Sequence, residues 1–300
     1  MRIHGVRNMP DTPCSEQVGH EGGGWRIKLY WRAWQSDELS MGAERLAELF
    51  GRNPSGLLSV FYTAGFPRLE DTVQVGECLE RAGADLIEIG IPFSDPIADG
   101  PVIQDSNKVA LSNGMTVAKL LDQVGELRKT VSIPLILMGY LNPVLQYGFD
   151  RFCREASEAG VDGLILPDLP LDEYESQYRV TVDRYKLALI FLVSPTTSEE
   201  RIRRIDGLTG GFIYAVVANS TTGTREAFSG EQMKYFQRLK NMQLKHPFLI
   251  GFGISDHPSF IAACQYGAGA IVGSAFIRML KNSGDKLKDI NGFVKSLRSA

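Results

Sequence analysis

From Leu57 onward the chain repeats one phrase: a short apolar run, a polar or glycine-rich loop, an amphipathic stretch, then glycine. The apolar runs span residues 57–63, 85–89, 134–139, 163–166, 187–193, 212–217, 248–251 and 270–273, eight in all. They are continuous rather than alternating, the pattern of parallel strands covered on both faces. The stretches between them read as helices. Asp150 is placed to cap one whose stripe is Phe152, Ala156 and Ala159. Ser255 or Asp256 is placed to cap another, with Pro258 tolerated in its first turn. Gly83, Gly160 and Gly267 each stand just ahead of a strand, where a left-handed residue ends a helix. Right-handed crossovers close eight such units into one α/β domain, a (β/α)8 TIM barrel. An open doubly wound sheet would want a GxGxxG after its first strand, and Thr63-Ala64-Gly65-Phe66-Pro67 is not one.

Residues 1–40 read differently. All three tryptophans (Trp25, Trp31, Trp34) fall there, with a run at Gly22-Gly23-Gly24 and breaks at Pro10 and Pro13. No lysine-flanked apolar stretch with a small-residue cleavage site appears, which argues against a secretory leader. The segment reads as an irregular extension: a regulatory or docking arm, or the product of a mis-called start. The barrel domain is expected over residues 41–300, opening with Leu46, Leu49 and Phe50 at helical spacing.

Composition removes whole classes of function. A net charge of −3 supplies no basic field for nucleic acid or an acidic membrane surface. No run of about 18 apolar residues spans a bilayer. The four cysteines (Cys14, Cys78, Cys153, Cys264) form no CxxC pair. The body keeps only His246 and His257, which argues against a zinc site. Free cysteines suit a reducing cytoplasm.

Barrels often hold phosphate with the loops after strands seven and eight. Here those loops read Gly251-Phe252-Gly253-Ile254-Ser255 and Gly273-Ser274-Ala275, whose backbone N–H groups can approach an anion closely. Glu88 stands in an apolar run near the C-terminal end of strand two. Burial there would raise its pKa and yield a carboxyl able to give and take a proton near neutrality; the plainer alternatives are a surface strand position or one side of a structural ion pair. Asp99 lies in the following loop, in a wetter setting, so the two acids can hold different protonation states. Both Asp95 and Asp99 also suit plain turn-forming roles. Tyr214 either orients a carboxylate or fills the core. Phe61, Met138 and Phe252 are apolar residues placed to line a pocket.

The segment from Glu88 to Pro101, EIGIPFSDPIADGP, closely resembles the signature of the tryptophan synthase α subunit family. The likeness continues through Ile103-Gln104, Met138-Gly139-Tyr140-Leu141-Asn142-Pro143, Pro167-Asp168-Leu169-Pro170, Thr222-Gly223 and both glycine turns, over about residues 41–300. It implies a carbon–carbon lyase of tryptophan biosynthesis that cleaves indole-3-glycerol phosphate to indole and glyceraldehyde 3-phosphate. It implies that Glu88 is the general acid/base, that Asp99 holds the indole N–H, and that Tyr214 lies beside the substrate. Gly223, Gly253, Gly273 and Ser274 would hold the phosphate. It implies no cofactor or metal in this chain. The expected partner is a β subunit carrying pyridoxal phosphate, in an α2β2 assembly, met through Pro92, Asp95, Asn142 and Pro143. The 217–223 loop departs from the family's Ser-x-x-Gly-Val-Thr-Gly, which leaves open a weak subunit retained to activate its partner. An isomerase or decarboxylase on another phosphate-binding barrel is the further alternative.

Overall fold

The computed structural model describes residues 41–52, 55–216, 228–251 and 253–299. The 1–40 extension, Phe252, Gly223 and the divergent 217–223 loop lie outside the described residues.

Nine parallel strands form the sheet: β1 (Leu57–Thr63), β2 (Leu86–Gly90), β3 (Leu135–Met138), β4 (Gly163–Ile165), β5 (Ala188–Ile190), β6 (Leu192–Val193), β7 (Ile213–Val216), β8 (Phe248–Gly251) and β9 (Gly269–Val272). Their order is β5-β4-β3-β2-β1-β9-β8-β7-β6. The expected fifth run is divided at Phe191. Its first half pairs with β4 and its second half with β7, so one stretch of chain closes the ring from both sides. The eight-strand barrel stands, with one strand interrupted.

Side chains divide by parity, although every residue of β1 is buried. Leu58, Val60 and Tyr62 join the layer between strands and helices. Leu57 turns inward, where it meets Leu86, Ile136, Ile165 and Leu249. Burial on both faces makes the strands read as unbroken apolar runs. The helix Met41–Arg52 plugs the N-terminal end, placing Leu46 and Phe50 in this inner cluster. It is tethered there by charge: Arg45 Nη1 and Arg128 Nη2 each lie 2.6 Å from the fully buried Asp162. Removing one partner of such a pair typically costs about 3–5 kcal/mol.

Local chemistry sets the helix ends, with two departures from expectation. Asp256 caps the helix His257–Tyr266 in a reciprocal capping box with Ser259. The helix Phe149–Glu158 instead starts from Gly148, without a side-chain cap. Asp150 sits in its first turn and accepts from Arg184 and Tyr185. Gly83 and Gly160 are left-handed, at φ 97° and 81°. Gly267 is extended, at φ −104° and ψ 178°. There a Cβ would lie 2.7 Å from the Phe248 carbonyl oxygen, so close approach rather than handedness explains the glycine.

Candidate active site

The C-terminal ends of the strands open into a cavity of about 720 Å³. Phe61 from β1, Met138 from β3, Leu192 from β6, Tyr214 from β7 and Ile271 from β9 supply its apolar wall. Its rim is polar in two places, on either side of β1. Asp99 and Tyr140 follow β2 and β3. Gly253, Ser255, Gly273 and Ser274 follow β8 and β9. This volume and mixture suit a small ligand with an aromatic body and polar ends. Of the expected site residues, the cavity thus gathers Phe61, Met138, Asp99, Tyr214, Gly253, Gly273 and Ser274.

Glu88 lies one layer below. It shares the inward phase of β2 with Gly90, which does line the cavity. The carboxyl is fully buried, and its Oε1 accepts from Ser59 Oγ at 2.6 Å. Its Oε2 has no hydrogen-bond partner. Burial pushes its pKa from 4.5 up to about 7, while the Ser59 hydrogen bond pulls the other way. A carboxyl poised near neutrality is suited to give a proton and take one back. Glu88 thus turns inward near the C-terminal end of β2, and Ser59 holds it beneath the cavity floor.

Asp99 is half-buried in the loop between β2 and the helix Pro101–Ser112. Tyr140 Oη donates to Asp99 Oδ2 at 3.2 Å and accepts from the Ala98 backbone N–H at 3.0 Å. Burial raises the Asp99 pKa, and the Tyr140 hydrogen bond opposes that rise. The Gln104 amide fixes the Asp99 carbonyl at 2.8 Å. Asn107 anchors the loop's start by accepting from the Phe93 N–H at 3.3 Å. The two acids thus sit in unlike settings, as their sequence contexts suggest.

Tyr214 is nearly buried. Burial, then the charges of Glu88 and Asp99, drive its pKa well above the ordinary phenol value, so the hydroxyl stays protonated. Its ring occupies space vacated by Gly251 on β8, where a Cβ would come within 2.4 Å of the Tyr214 hydroxyl.

Gly273 immediately precedes the helix Ser274–Lys281, so that helix's free N–H groups open toward the cavity rim. Gly253 adopts φ 78° in the adjoining loop. Amides placed in this way can receive an anion without requiring a cation. Among the described residues no cluster of side chains is arranged to hold a metal, and no helix is long and apolar enough to cross a membrane.

Of the four residues expected at a partner interface, Asp95 and Asn142 are exposed and Pro143 partly so. Pro92, by contrast, is buried within the chain. Ser59 and Asn107 escaped the sequence reading, and Tyr140 and Gly251 stood in it only as members of motifs, without these contacts. Only Ser59 carried a local signal, as a polar residue in phase with Phe61 within an apolar run.

Comparison with known proteins meets this geometry. A family model described as tryptophan synthase alpha chain matches residues 48–298. The tryptophan synthase alpha chain of Bacteroides fragilis is 50% identical over 236 residues, covering 79% of this chain and 90% of that one. That of Flavobacterium johnsoniae is 50% identical over 240 residues, covering 80% and 95%. The crystal structure of the tryptophan synthase alpha chain from Legionella pneumophila superposes with a TM-score of 0.76 at 36% identity, over 87% of this chain and 96% of that one. The aminoacrylate-bound tryptophan synthase from M. tuberculosis gives 0.74 at 31% identity, over 84% and 97%. A family match over most of the barrel, joined to half-identical relatives, leaves one conclusion: the chain belongs to the tryptophan synthase alpha chain family.

Proposed function

We propose that this chain cleaves indole-3-glycerol phosphate to indole and glyceraldehyde 3-phosphate, with Glu88 as the acid and base. The observation that carries the reading is a fully buried carboxyl, poised near neutrality, directly under an aromatic-sized cavity. The indole ring lies against Phe61, Met138 and Tyr214, and Phe252 would add to that wall. The phosphate rests on the amides of Gly253, Gly273 and Ser274, with Gly223 as a further donor.

Binding of the ring draws Glu88 off Ser59 and up beside Gly90. The protonated carboxyl gives its proton to indole C3, and positive charge spreads to the ring nitrogen. Asp99 accepts a hydrogen bond from that N–H and stabilises the cation. The resulting Glu88 carboxylate takes the proton of the adjacent side-chain hydroxyl. The carbinol carbon becomes the aldehyde, the carbon–carbon bond breaks, and its electron pair restores the aromatic indole. Glu88 ends protonated, as it began. Tyr214, whose protonated hydroxyl feels the charge of both carboxyls, lies beside the substrate and helps to position Glu88. Each step uses groups of this chain alone. A placed proton donor of this kind is typically worth about 10²–10⁴ in rate.

Indole then passes to a β subunit in an α2β2 assembly, and that partner carries pyridoxal phosphate. The docking face is the loop with Asp95 together with Asn142 and Pro143. Two exposed apolar side chains on the same rim support it: Ile97, 89% exposed, and Leu145, 42% exposed. The free thiols of Cys78 and Cys153, both buried, support a reducing, cytoplasmic setting. The test is indole release from indole-3-glycerol phosphate by purified protein, with and without a β subunit. Glu88→Gln and Asp99→Asn should each lower turnover at least a hundredfold with folding intact. Near-normal turnover in Glu88→Gln removes that residue from the role. An inactive wild type that still stimulates the partner favours the weak-subunit alternative.

A further inference from the structure

The cavity's described lining contains a single cationic side chain, Arg278, and a single acidic one, Asp99. Arg278 belongs to the helix whose N-terminus forms part of the anion cradle. It follows Ser274 by one turn and Ala275 by three residues, and both of those also line the cavity. Long helical side chains lean back toward the N-terminus, so the Arg278 stem lies along the turn that begins at Ser274. The opposite face of the helix is held in place by Phe276, Ile277 and Leu280, all buried. No carboxylate among the described residues pairs with the Arg278 guanidinium. The residue is exposed at the rim of the cavity.

From this placement we infer that Arg278 is a specificity-determining residue, which draws the phosphate of the substrate to the Gly253–Ser274 side and so sets the substrate's direction in the cavity. This rests on the reading of the cavity as the site of an indolyl phosphate. It goes beyond the amide cradle, which offers partial charges at fixed positions but no long-range attraction. A phosphate monoester carries about −1.5 to −2 at neutral pH. Arg278 attracts that charge on one side of β1, and Asp99 repels it on the other. The same Asp99 favours the ring nitrogen where positive charge develops. The cavity is thus polarised along the length of its substrate, and a reversed substrate meets two repulsions. Because the guanidinium is exposed, its effect falls with ionic strength over a screening length of about 8–10 Å near physiological salt.

The test is equilibrium binding of indole-3-propanol phosphate, which has no hydroxyl at the cleavage position, beside neutral indole-3-propanol. Arg278→Gln should weaken binding of the phosphate about 5- to 10-fold at low salt, and the gap should close as salt rises. Affinity for the neutral alcohol should be unchanged, and Arg278→Lys should recover most of the loss. With indole-3-glycerol phosphate, KM should rise while kcat stays within about twofold. Equal affinity of wild type and Arg278→Gln for the phosphate overturns the inference and leaves the function intact. An equal loss for the neutral alcohol shows a structural effect and also overturns it. Failure of wild type to bind the phosphate at all defeats the underlying reading, and the inference with it.

Discussion

Replacing Glu88 by glutamine should stabilise the folded chain at alkaline pH while destroying its turnover. Moving a carboxyl from 4.5 to about 7 on folding makes its ionised form unwelcome in the native state. A carboxyl raised in this way contributes full stability below its unfolded value. That contribution is lost as pH climbs through the window from 4.5 to about 7. At about 1.4 kcal/mol per pKa unit, the loss is on the order of 3 kcal/mol above that window. Glutamine fills the same space, and its carbonyl can still accept from Ser59, but it never ionises. The two chains should therefore differ by less than about 1 kcal/mol at pH 5 and by about 3 kcal/mol at pH 8.5, with glutamine the more stable. Urea unfolding of the isolated chain, followed by far-ultraviolet circular dichroism, measures this directly, with equal m-values as the internal check. A stability difference that is flat across pH, or one in which wild type gains as pH rises, would refute the buried-carboxyl reasoning.

Three further substitutions probe the groups around the two acids. Ser59→Ala removes the one hydrogen bond that opposes protonation of Glu88, worth about 1.5 kcal/mol. The alkaline limb of kcat/KM, where Glu88 loses its proton, should move up by about one pH unit; a limb that stays or falls counts against the assignment. Tyr140→Phe withdraws the donor at 3.2 Å from Asp99, so kcat/KM should drop about tenfold and the acid limb rise, with the melting temperature nearly unchanged. Gly251→Ala places a Cβ 2.4 Å from the Tyr214 hydroxyl, so the ring must leave its seat. Indole release should fall about tenfold or more, and a variant with normal kinetics would show that Tyr214 is not needed where it stands.

The barrel was readable because its physical cause is local. A strand buried on both faces is apolar at every position, and that leaves an unbroken run in the sequence. The interruption at Phe191 left no such trace, since the run 187–193 is uniformly apolar on both sides of it. Gly267 likewise looks like Gly83 from its neighbours, and only the Phe248 carbonyl, nearly twenty residues away, distinguishes a close approach from a left-handed turn. The two acids were legible for the opposite reason. A carboxylate in an apolar run, or in a proline-bracketed loop at a strand's C-terminal end, violates local expectation, and such violations gather at functional sites. Their supporting residues violate nothing. Tyr140 reaches Asp99 across a separation of 41 residues, and Ser59 reaches Glu88 across 29. The second contact follows from strand register, which pairs Phe61 with Glu88 and Thr63 with Gly90. Once that register is known, inward parity places Ser59, Phe61, Glu88 and Gly90 on one wall, and the hydroxyl must meet the carboxyl. The chemistry of Glu88 is thus set as much by which strand lies beside it as by its own position in the chain.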